Sequence, residues 1–183
     1  MNNLTTLNEH YALYVDGSCL ENRDVSATTP AAWSLVIVTG DNGLGKGSGE
    51  ILEESWGSVI TDSSDSAFIG AKVGSNNTAE LTAIAEALRW LLIEGGNRSA
   101  IIHTDSQYAG NLATGNWKAK ANKELVGTVQ NLWQEVGALR ELKWSHVRAH
   151  RGHRWNERAD HLANRCVNNQ APMPLSFWKP GQR

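Results

Sequence analysis

The chain has 183 residues, of which 40% are hydrophobic and 20% charged, a size and composition typical of one globular domain. No run of about 18 apolar residues occurs, which excludes a transmembrane helix, and no basic segment at the N-terminus leads into an apolar stretch, which argues against a secretory signal. Two cysteines, Cys19 and Cys166, are too few for a disulfide framework and indicate a reducing, cytoplasmic setting, while the net charge of −2 argues against a strongly basic nucleic-acid-binding protein.

The charge is distributed unevenly along the chain. Residues 1–66 carry a net charge of −8, whereas residues 67–183 carry +6. The densest basic stretch, residues 140–165, holds seven lysines and arginines, four histidines and only three acids. Such a stretch attracts polyanions locally, although a solvated basic face would have the same composition. Composition alone leaves both interpretations open.

The first part of the chain predicts two strands, with a polar loop over residues 19–31 between them and a hairpin connection after the second strand. Residues 11–16 read as a short strand that ends in a turn at Gly17-Ser18. The run 32–39 is continuous, apolar and β-branched, as expected for a strand buried on both faces. The glycine-rich stretch 40–49 lacks the spacing of a phosphate-binding loop, so it is interpreted as a hairpin connection.

The segments 51–56 and 67–73 are both candidates for a third strand, and either could pair with the second strand. The clearest helix follows, with Asn77 as a candidate N-cap and Glu80 in the capping-box position three residues later. An apolar stripe at helical spacing begins at Leu81, and the pair of glycines at 95–96 predicts the helix end.

The remaining elements alternate between strand and helix. Residues 100–104 predict a strand, and Asp105-Ser106 directly after it is a candidate helix start. A weaker helical pattern covers 121–138, an alternating pattern predicts a strand over 142–148, and a helix is expected over about 155–168. The order β-β-β-α-β-α-α-β-α indicates an α/β fold with a mixed sheet.

No internal repeat or second domain is evident. We expect one domain over residues 1–170, followed by a Pro-containing C-terminal tail, 171–183, that is extended or disordered.

Four acidic residues occupy positions that suit metal chemistry. Asp16 and Asp105 follow predicted strands, where ligands bind in open α/β sheets, while Glu80 lies in the first turn of one helix and Asp160 in the last helix. Four converging carboxylates would repel one another unless hard divalent cations such as Mg²⁺ lay between them. Acids at these positions are also common as helix caps and turn formers, and spacing alone does not show that the four meet.

Four sequence blocks surround these acids: YVDGSC, NNTAEL, HTDSQY and HVRAHRGHRWNERADHLAN. In this order and with this spacing, over about residues 10–168, they resemble the type 1 ribonuclease H family. The resemblance implies a ribonuclease H-like fold, with a five-stranded mixed sheet flanked by helices on both faces. It also implies a hybrid-specific endoribonuclease, which hydrolyses the RNA strand of RNA/DNA hybrids and leaves 5′-phosphate and 3′-hydroxyl ends.

The resemblance assigns roles to individual residues. The four carboxylates of Asp16, Glu80, Asp105 and Asp160 correspond to the family's metal ligands, and they would hold two Mg²⁺ ions with the substrate, Mn²⁺ being a possible substitute. His150 corresponds to a flexible-loop histidine that assists proton transfer or product release. A surface histidine in a basic loop is the structural alternative for His150.

Substrate contacts follow from the same resemblance. The expected partner is the RNA/DNA hybrid, bound through groove shape and backbone. Independently of the resemblance, a monomer is the default expectation, and no membrane contact is expected. For Asn76 and Asn77, helix capping is an alternative that is compatible with substrate contact. The residues matched to hybrid contacts in the family are Cys19, Ser75, Asn76, Asn77, Gln107 and Asn122.

The chain also departs from the family's pattern. The region 111–125 is too short for the basic helical protrusion of many bacterial members, which predicts weaker hybrid affinity or a partner that supplies the missing contacts. Val73 stands where the family's phosphate pocket usually has an arginine. The loops 19–31 and 40–74 are longer and more acidic than usual.

Two other functions are compatible with such a fold. One is a transposase or Holliday-junction nuclease, but these relatives lack the TDSQY and HRGH patterns. The other is an inactive hybrid-binding module, which the loss of any of the four carboxylates would have supported. All four are present.

Overall fold

The computed structural model describes residues 10–183, so the first nine residues of the predicted domain and the N-terminal segment examined for a signal lie outside the described residues. Residues 10–183 form nine elements in the predicted order: β1 (Tyr11–Cys19), β2 (Ala31–Thr39), β3 (Glu50–Ser58), α1 (Asn76–Ile93), β4 (Ala100–Thr104), α2 (Gln107–Ala113), α3 (Lys123–Leu139), β5 (Leu142–His146) and α4 (Arg154–Val167). Within the described chain, no helix is long and apolar enough to cross a membrane.

The five strands form one mixed sheet in the order β3-β2-β1-β4-β5. β1 and β3 run antiparallel to β2, whereas β1, β4 and β5 run parallel to one another. The carboxyl ends of β1 and β4 therefore meet at the same edge of the sheet. This is the edge at which open α/β sheets bind ligands.

Helices cover both faces of the sheet. On one face, α1, α2 and α3 bury a large core against the sheet, with Leu81, Ile84 and Leu88 of the predicted apolar stripe fully buried. On the other face, α4 packs against β1 and β2 through a smaller cluster that includes Leu162. Because β2 lies between these two layers, its predicted burial on both faces is confirmed. The predicted fold class is likewise confirmed.

Two strand predictions are corrected. β1 does not turn at Gly17-Ser18 but continues to Cys19, because it stays paired with β2 as far as the register Cys19 to Ala31. Of the two candidates for the third strand, only 51–56 is a strand, because it lies within β3, whereas 67–73 contains no strand. β1 and β3 occupy both edges of β2, so no edge of β2 is left for a further strand.

The start of α1 also differs from the prediction. Ser75, not Asn77, is the N-cap, and its hydroxyl accepts a hydrogen bond from Thr78 N at 3.0 Å. Thr78 Oγ1 in turn accepts from Ser75 N at 2.9 Å, which completes a capping box without Glu80. The carboxylate of Glu80 is therefore not used for capping.

The end of α1 is closed by a buried arginine from the loop after α3. The guanidinium of Arg140 donates to the carbonyl oxygens of Leu91 at 2.7 Å, Gly95 at 3.1 Å and Gly96 at 2.6 Å. These bonds satisfy carbonyls that a helix end leaves unpaired.

Residues 171–183 contain no helix or strand, but they are not the extended or disordered tail that the prolines predicted. Trp178 is only 2% exposed. Its indole lies near the ring of His161 on α4, at a centroid distance of 5.9 Å, and Arg158 of α4 donates to Met173 O at 2.9 Å. The segment is thus folded onto α4.

Candidate active site

Asp16 lies on the central strand, and the glycine after it allows a helix to approach. A Cβ on Gly17 would lie 2.5 Å from Glu80 N and 2.7 Å from Ala79 Cβ, so only glycine allows α1 to pack this closely on β1. Gly17 N donates to Asp16 Oδ1 at 2.8 Å and orients that carboxylate. The DGS sequence, a weak signal by itself, therefore brings Glu80 next to Asp16.

Asp105 joins them because β4 runs parallel to β1. It directly follows β4, and Ser106 after it caps α2 by accepting from Ala109 N at 3.0 Å. Asp16, Glu80 and Asp105 each offer a carboxylate oxygen, and these three oxygens lie within 4.8 Å of one another. The three acids thus meet although they are far apart in sequence.

Asp160 and His150 line the same cavity, which has a volume of about 380 Å³. Asp160 reaches it from α4, on the other face of the sheet from α1. His150 is exposed and lies in the loop before α4, with a φ of 52° that places it in the left-handed region. The structure thus brings all five predicted catalytic residues to one cavity.

Burial and mutual repulsion dominate the electrostatics of these acids. Burial raises the pKa of Asp16 well above its usual range, and the charge of Asp105 raises it further. Burial likewise raises the pKa of Glu80, followed by the charge of Asp16. The pKa of Asp105 is raised by burial and by the charge of Asp160. Without a cation, the buried acids therefore retain protons more readily than exposed acids do.

The arrangement fits a metal ion. Glu80 Oε2 is buried and has no hydrogen-bond partner among residues 10–183, a costly state for a carboxylate oxygen. Hard divalent cations prefer carboxylate oxygens, and a cation here would satisfy this oxygen while offsetting the repulsion between the acids. Asp16, Glu80 and Asp105 form a set that can hold one ion, with Asp160 in the same cavity.

The residues predicted to contact substrate do not all lie in the carboxylate cavity. Cys19, Asn76 and Asn77 line the cavity, and burial raises the pKa of the Cys19 thiol, which favours its uncharged form. Gln107 is exposed at the start of α2, and the hydroxyl of Ser75 is engaged in capping α1.

Asn122 lies at a second cavity, also of about 380 Å³, with Lys72, Val73 and Lys120 on its lining. Its φ of 54° is left-handed, and its side-chain amide donates to Tyr108 Oη at 3.1 Å. Lys72 and Lys120 supply positive charge to this cavity, whereas Val73 contributes none.

His103 and His153 both pack against the ring of Tyr14, away from the acids of the cavity. Tyr14 stacks on His103 at a centroid distance of 4.4 Å and donates a hydrogen bond to Asp41. Burial lowers the pKa of His103 to about 4, so this ring is neutral at neutral pH. Neither histidine lines the carboxylate cavity.

Sequence reasoning missed two kinds of cavity residue. Ser18 and Ser106 line the cavity next to predicted acids, and their positions in the DGS and TDSQY blocks were the available signal. Arg183 also lines it, and no local pattern indicated this because the contact depends on how the segment 171–183 folds back onto α4.

Comparisons with known proteins agree with this geometry. The family model for RNase H matches residues 8–168. A ribonuclease H from Thermosynechococcus vestitus is 32% identical over 180 residues, covering 92% of this chain and 95% of the relative. One from Anaplasma marginale is 32% identical over 173 residues, covering 89% and 94%.

Solved structures with the same fold include RNase H1 from Halobacterium salinarum, with a TM-score of 0.62 at 24% identity, covering 87% of this chain and 98% of that one. LC11-RNase H1, solved in complex with an RNA/DNA hybrid, has a TM-score of 0.61 at 23% identity and covers 87% and 97%. At these identities the two structures establish the fold.

Proposed function

Because the chain belongs to the ribonuclease H family, we propose that it is a metal-dependent endoribonuclease that hydrolyses the RNA strand of RNA/DNA hybrids. The observation that carries the proposal is the meeting of three carboxylates, of which Asp16 and Glu80 are buried and Asp105 is half-buried, with Asp160 in the same cavity. We take the cation to be Mg²⁺, bound as two ions with the substrate, with Mn²⁺ able to replace it.

Asp16, Glu80, Asp105 and Asp160 would hold the ions. When bound, the ions supply an activated water and neutralise the charge that develops on the phosphate and on the leaving oxygen. Burial raises the pKa values of Asp16, Glu80 and Asp105, and these three acids would give up their retained protons when cations bind.

His150 would give a proton from a ring nitrogen to the leaving 3′ oxygen, or assist product release, from its exposed place on the cavity rim. The products would carry 5′-phosphate and 3′-hydroxyl ends, because water rather than the 2′-hydroxyl is the nucleophile.

Hybrid recognition would rest on uncharged side chains near the acids and on lysines further away. Cys19, Asn76 and Asn77 line the acidic cavity, where the RNA strand would lie. Gln107 would reach the adjacent groove, while Ser75 would act through the start of α1 that it caps.

The cavity at Asn122, with its lysines, would bind a phosphate of the DNA strand. Groove shape and 2′-hydroxyls then distinguish the hybrid from duplex DNA.

We further propose that residues 1–170 form the catalytic domain and 171–183 a C-terminal tail packed on it. The protein would act as a monomer in the cytoplasm, consistent with its two free cysteines.

The proposal is tested with a hybrid whose RNA strand is labelled, incubated with Mg²⁺, Mn²⁺ or EDTA. We expect cleavage of the RNA strand with either metal and none in EDTA. Asp105→Asn should lower the rate by at least about a hundredfold, because it removes one of the charged groups that position the ions.

Asp65→Asn is the matched control, since it removes the same charge from an exposed turn outside the cavity. RNA cleavage that persists in EDTA, or that Asp105→Asn leaves at the wild-type rate, would refute the proposal. Hybrid binding without cleavage in either metal would favour the inactive binding module instead.

A further inference from the structure

One basic side chain already occupies the acidic cavity. Arg183 Nε lies 2.9 Å from Asp160 Oδ2, and Arg183 Nη2 lies 3.1 Å from Asp160 Oδ1. This is a bidentate pair, the strongest arrangement of guanidinium and carboxylate. Both oxygens of Asp160 therefore accept hydrogen bonds from the same cation.

Gln182, the residue before Arg183, is held in place by two hydrogen bonds. Trp178 Nε1 donates to Gln182 O at 2.9 Å, and Lys179 N donates to Gln182 Oε1 at 2.8 Å. These bonds hold Gln182 against Trp178, which lies near His161 of α4, so Arg183 follows an ordered segment.

A buried histidine adds to this anchor. His161 accepts from Met173 N through Nε2 at 2.9 Å, which leaves Nδ1 to donate to Gln182 O at 3.0 Å. His161 follows Asp160 on α4, so the segment is held next to the carboxylate that Arg183 contacts.

The Arg183 side chain can nevertheless leave. It is 54% exposed, whereas the side chain of Asp160 is 14% exposed. The guanidinium can therefore turn into solvent while Gln182 and Trp178 stay in place. The pair combines a fixed carboxylate with a movable cation.

We propose that Arg183 occupies the cation position at Asp160 when the site is empty, and that a divalent ion must displace it to bind there. An ion bound to Asp160 would lie next to the carboxylate oxygens that Arg183 contacts, and so close to a guanidinium that is permanently charged. Like-charge repulsion then makes the two cations alternatives. Arg183 thereby sets the concentration of metal at which Asp160 becomes a ligand.

This inference rests on the proposed cation site, and it is tested by metal binding rather than by activity. Mn²⁺ is titrated by calorimetry into the wild-type protein and into Arg183→Gln. We expect Arg183→Gln to bind Mn²⁺ about two- to fivefold more tightly, the amount that a partly exposed ion pair contributes. The Mg²⁺ concentration for half-maximal cleavage should fall by a similar factor.

Lys143→Gln is the matched control, because it removes the same charge from an exposed pair with Glu141 outside the cavity and should leave Mn²⁺ affinity at the wild-type value. In an Asp160→Asn background, Arg183→Gln should change the affinity no further. Unchanged or weaker Mn²⁺ binding by Arg183→Gln, or an equal gain in the Asp160→Asn background, would overturn the inference. Tighter Mn²⁺ binding by Arg183→Gln without hybrid cleavage by the wild type would instead refute only the proposed activity.

Discussion

Repulsion between the carboxylates of the site should lower the free energy of unfolding of the metal-free protein, and the substitution Asp16→Asn tests by how much. Asp16 is 4% exposed. One of its carboxylate oxygens lies within 4.8 Å of a carboxylate oxygen of Glu80 and of Asp105. Asparagine keeps the acceptor oxygen that Gly17 N contacts, so the substitution removes the charge with little change of shape.

The size of the effect follows from the distance. Two unit charges no more than 4.8 Å apart repel by at least about 3.5 kcal/mol at an effective dielectric constant of 20. Retained protons relieve part of this repulsion, so we expect Asp16→Asn to stabilise the metal-free protein by about 1–2 kcal/mol at pH 7.5. For a chain of this size, that raises Tm by about 3–6 °C.

The sign of the pH dependence is also determined. Because burial raises the pKa of Asp16 in the folded state, the folded protein binds more protons than the unfolded chain above pH 3.8. Wild-type stability from this group is therefore lost as pH rises from about the unfolded pKa through the folded pKa. The difference in free energy of unfolding between Asp16→Asn and the wild type should grow as pH rises over the same interval, and it should vanish in acid.

The assay is thermal unfolding in EDTA and in Mg²⁺, over a series of pH values, with Asp65→Asn as the exposed control. Added Mg²⁺ should raise the Tm of the wild type more than that of Asp16→Asn, because the variant has lost a ligand. A lower Tm for Asp16→Asn in EDTA at neutral pH would refute the view that repulsion between buried charges dominates this site.

Two further predictions concern the elements that build the site. Gly17→Ala places a Cβ 2.5 Å from a backbone nitrogen of α1, so we expect it to lower the free energy of unfolding by about 1–3 kcal/mol and to abolish most of the activity. The control Gly127→Ala, on the open surface of α3, should raise the free energy of unfolding by about 0.5–1 kcal/mol. Arg140→Ala leaves the carbonyls at the end of α1 without donors and should lower the free energy of unfolding by about 2–4 kcal/mol. The control Arg89→Ala, which breaks an exposed ion pair, should lower it by less than about 0.5 kcal/mol. Chemical denaturation measures each loss; wild-type stability of Gly17→Ala or Arg140→Ala would contradict the packing described.

Much of the sheet could be predicted because its strands are strongly patterned. The apolar run of β2 and the alternation of β5 both reflect how a strand meets its neighbours. The prediction of a strand over 67–73 was wrong because both edges of β2 are already paired, and this depends on the order of strands in the whole sheet. The predicted N-cap of α1 was wrong because the pair Ser75 and Thr78 has the same spacing as the pair Asn77 and Glu80. The packing of α1 against β1, which the sequence does not show, selects the first pair as the capping box.

The candidate site was predictable for a different reason. Asp16, Glu80 and Asp105 lie in sequence blocks that resemble one family, and periodicity alone did not show that they meet. Arg183 was not predictable, since its position depends on the burial of Trp178 against α4, a contact that the prolines of the same segment obscured.

The most direct test of the central claim is the chemistry of the cleaved ends. RNA fragments produced from a hybrid in Mg²⁺ are incubated with an RNA ligase, without prior treatment by kinase or phosphatase. Water attack at metal-loaded carboxylates predicts 5′-phosphate and 3′-hydroxyl ends, which the ligase rejoins directly. Fragments that rejoin only after phosphate is removed from the 3′ end and added to the 5′ end would show attack by the 2′-hydroxyl, and would contradict the account.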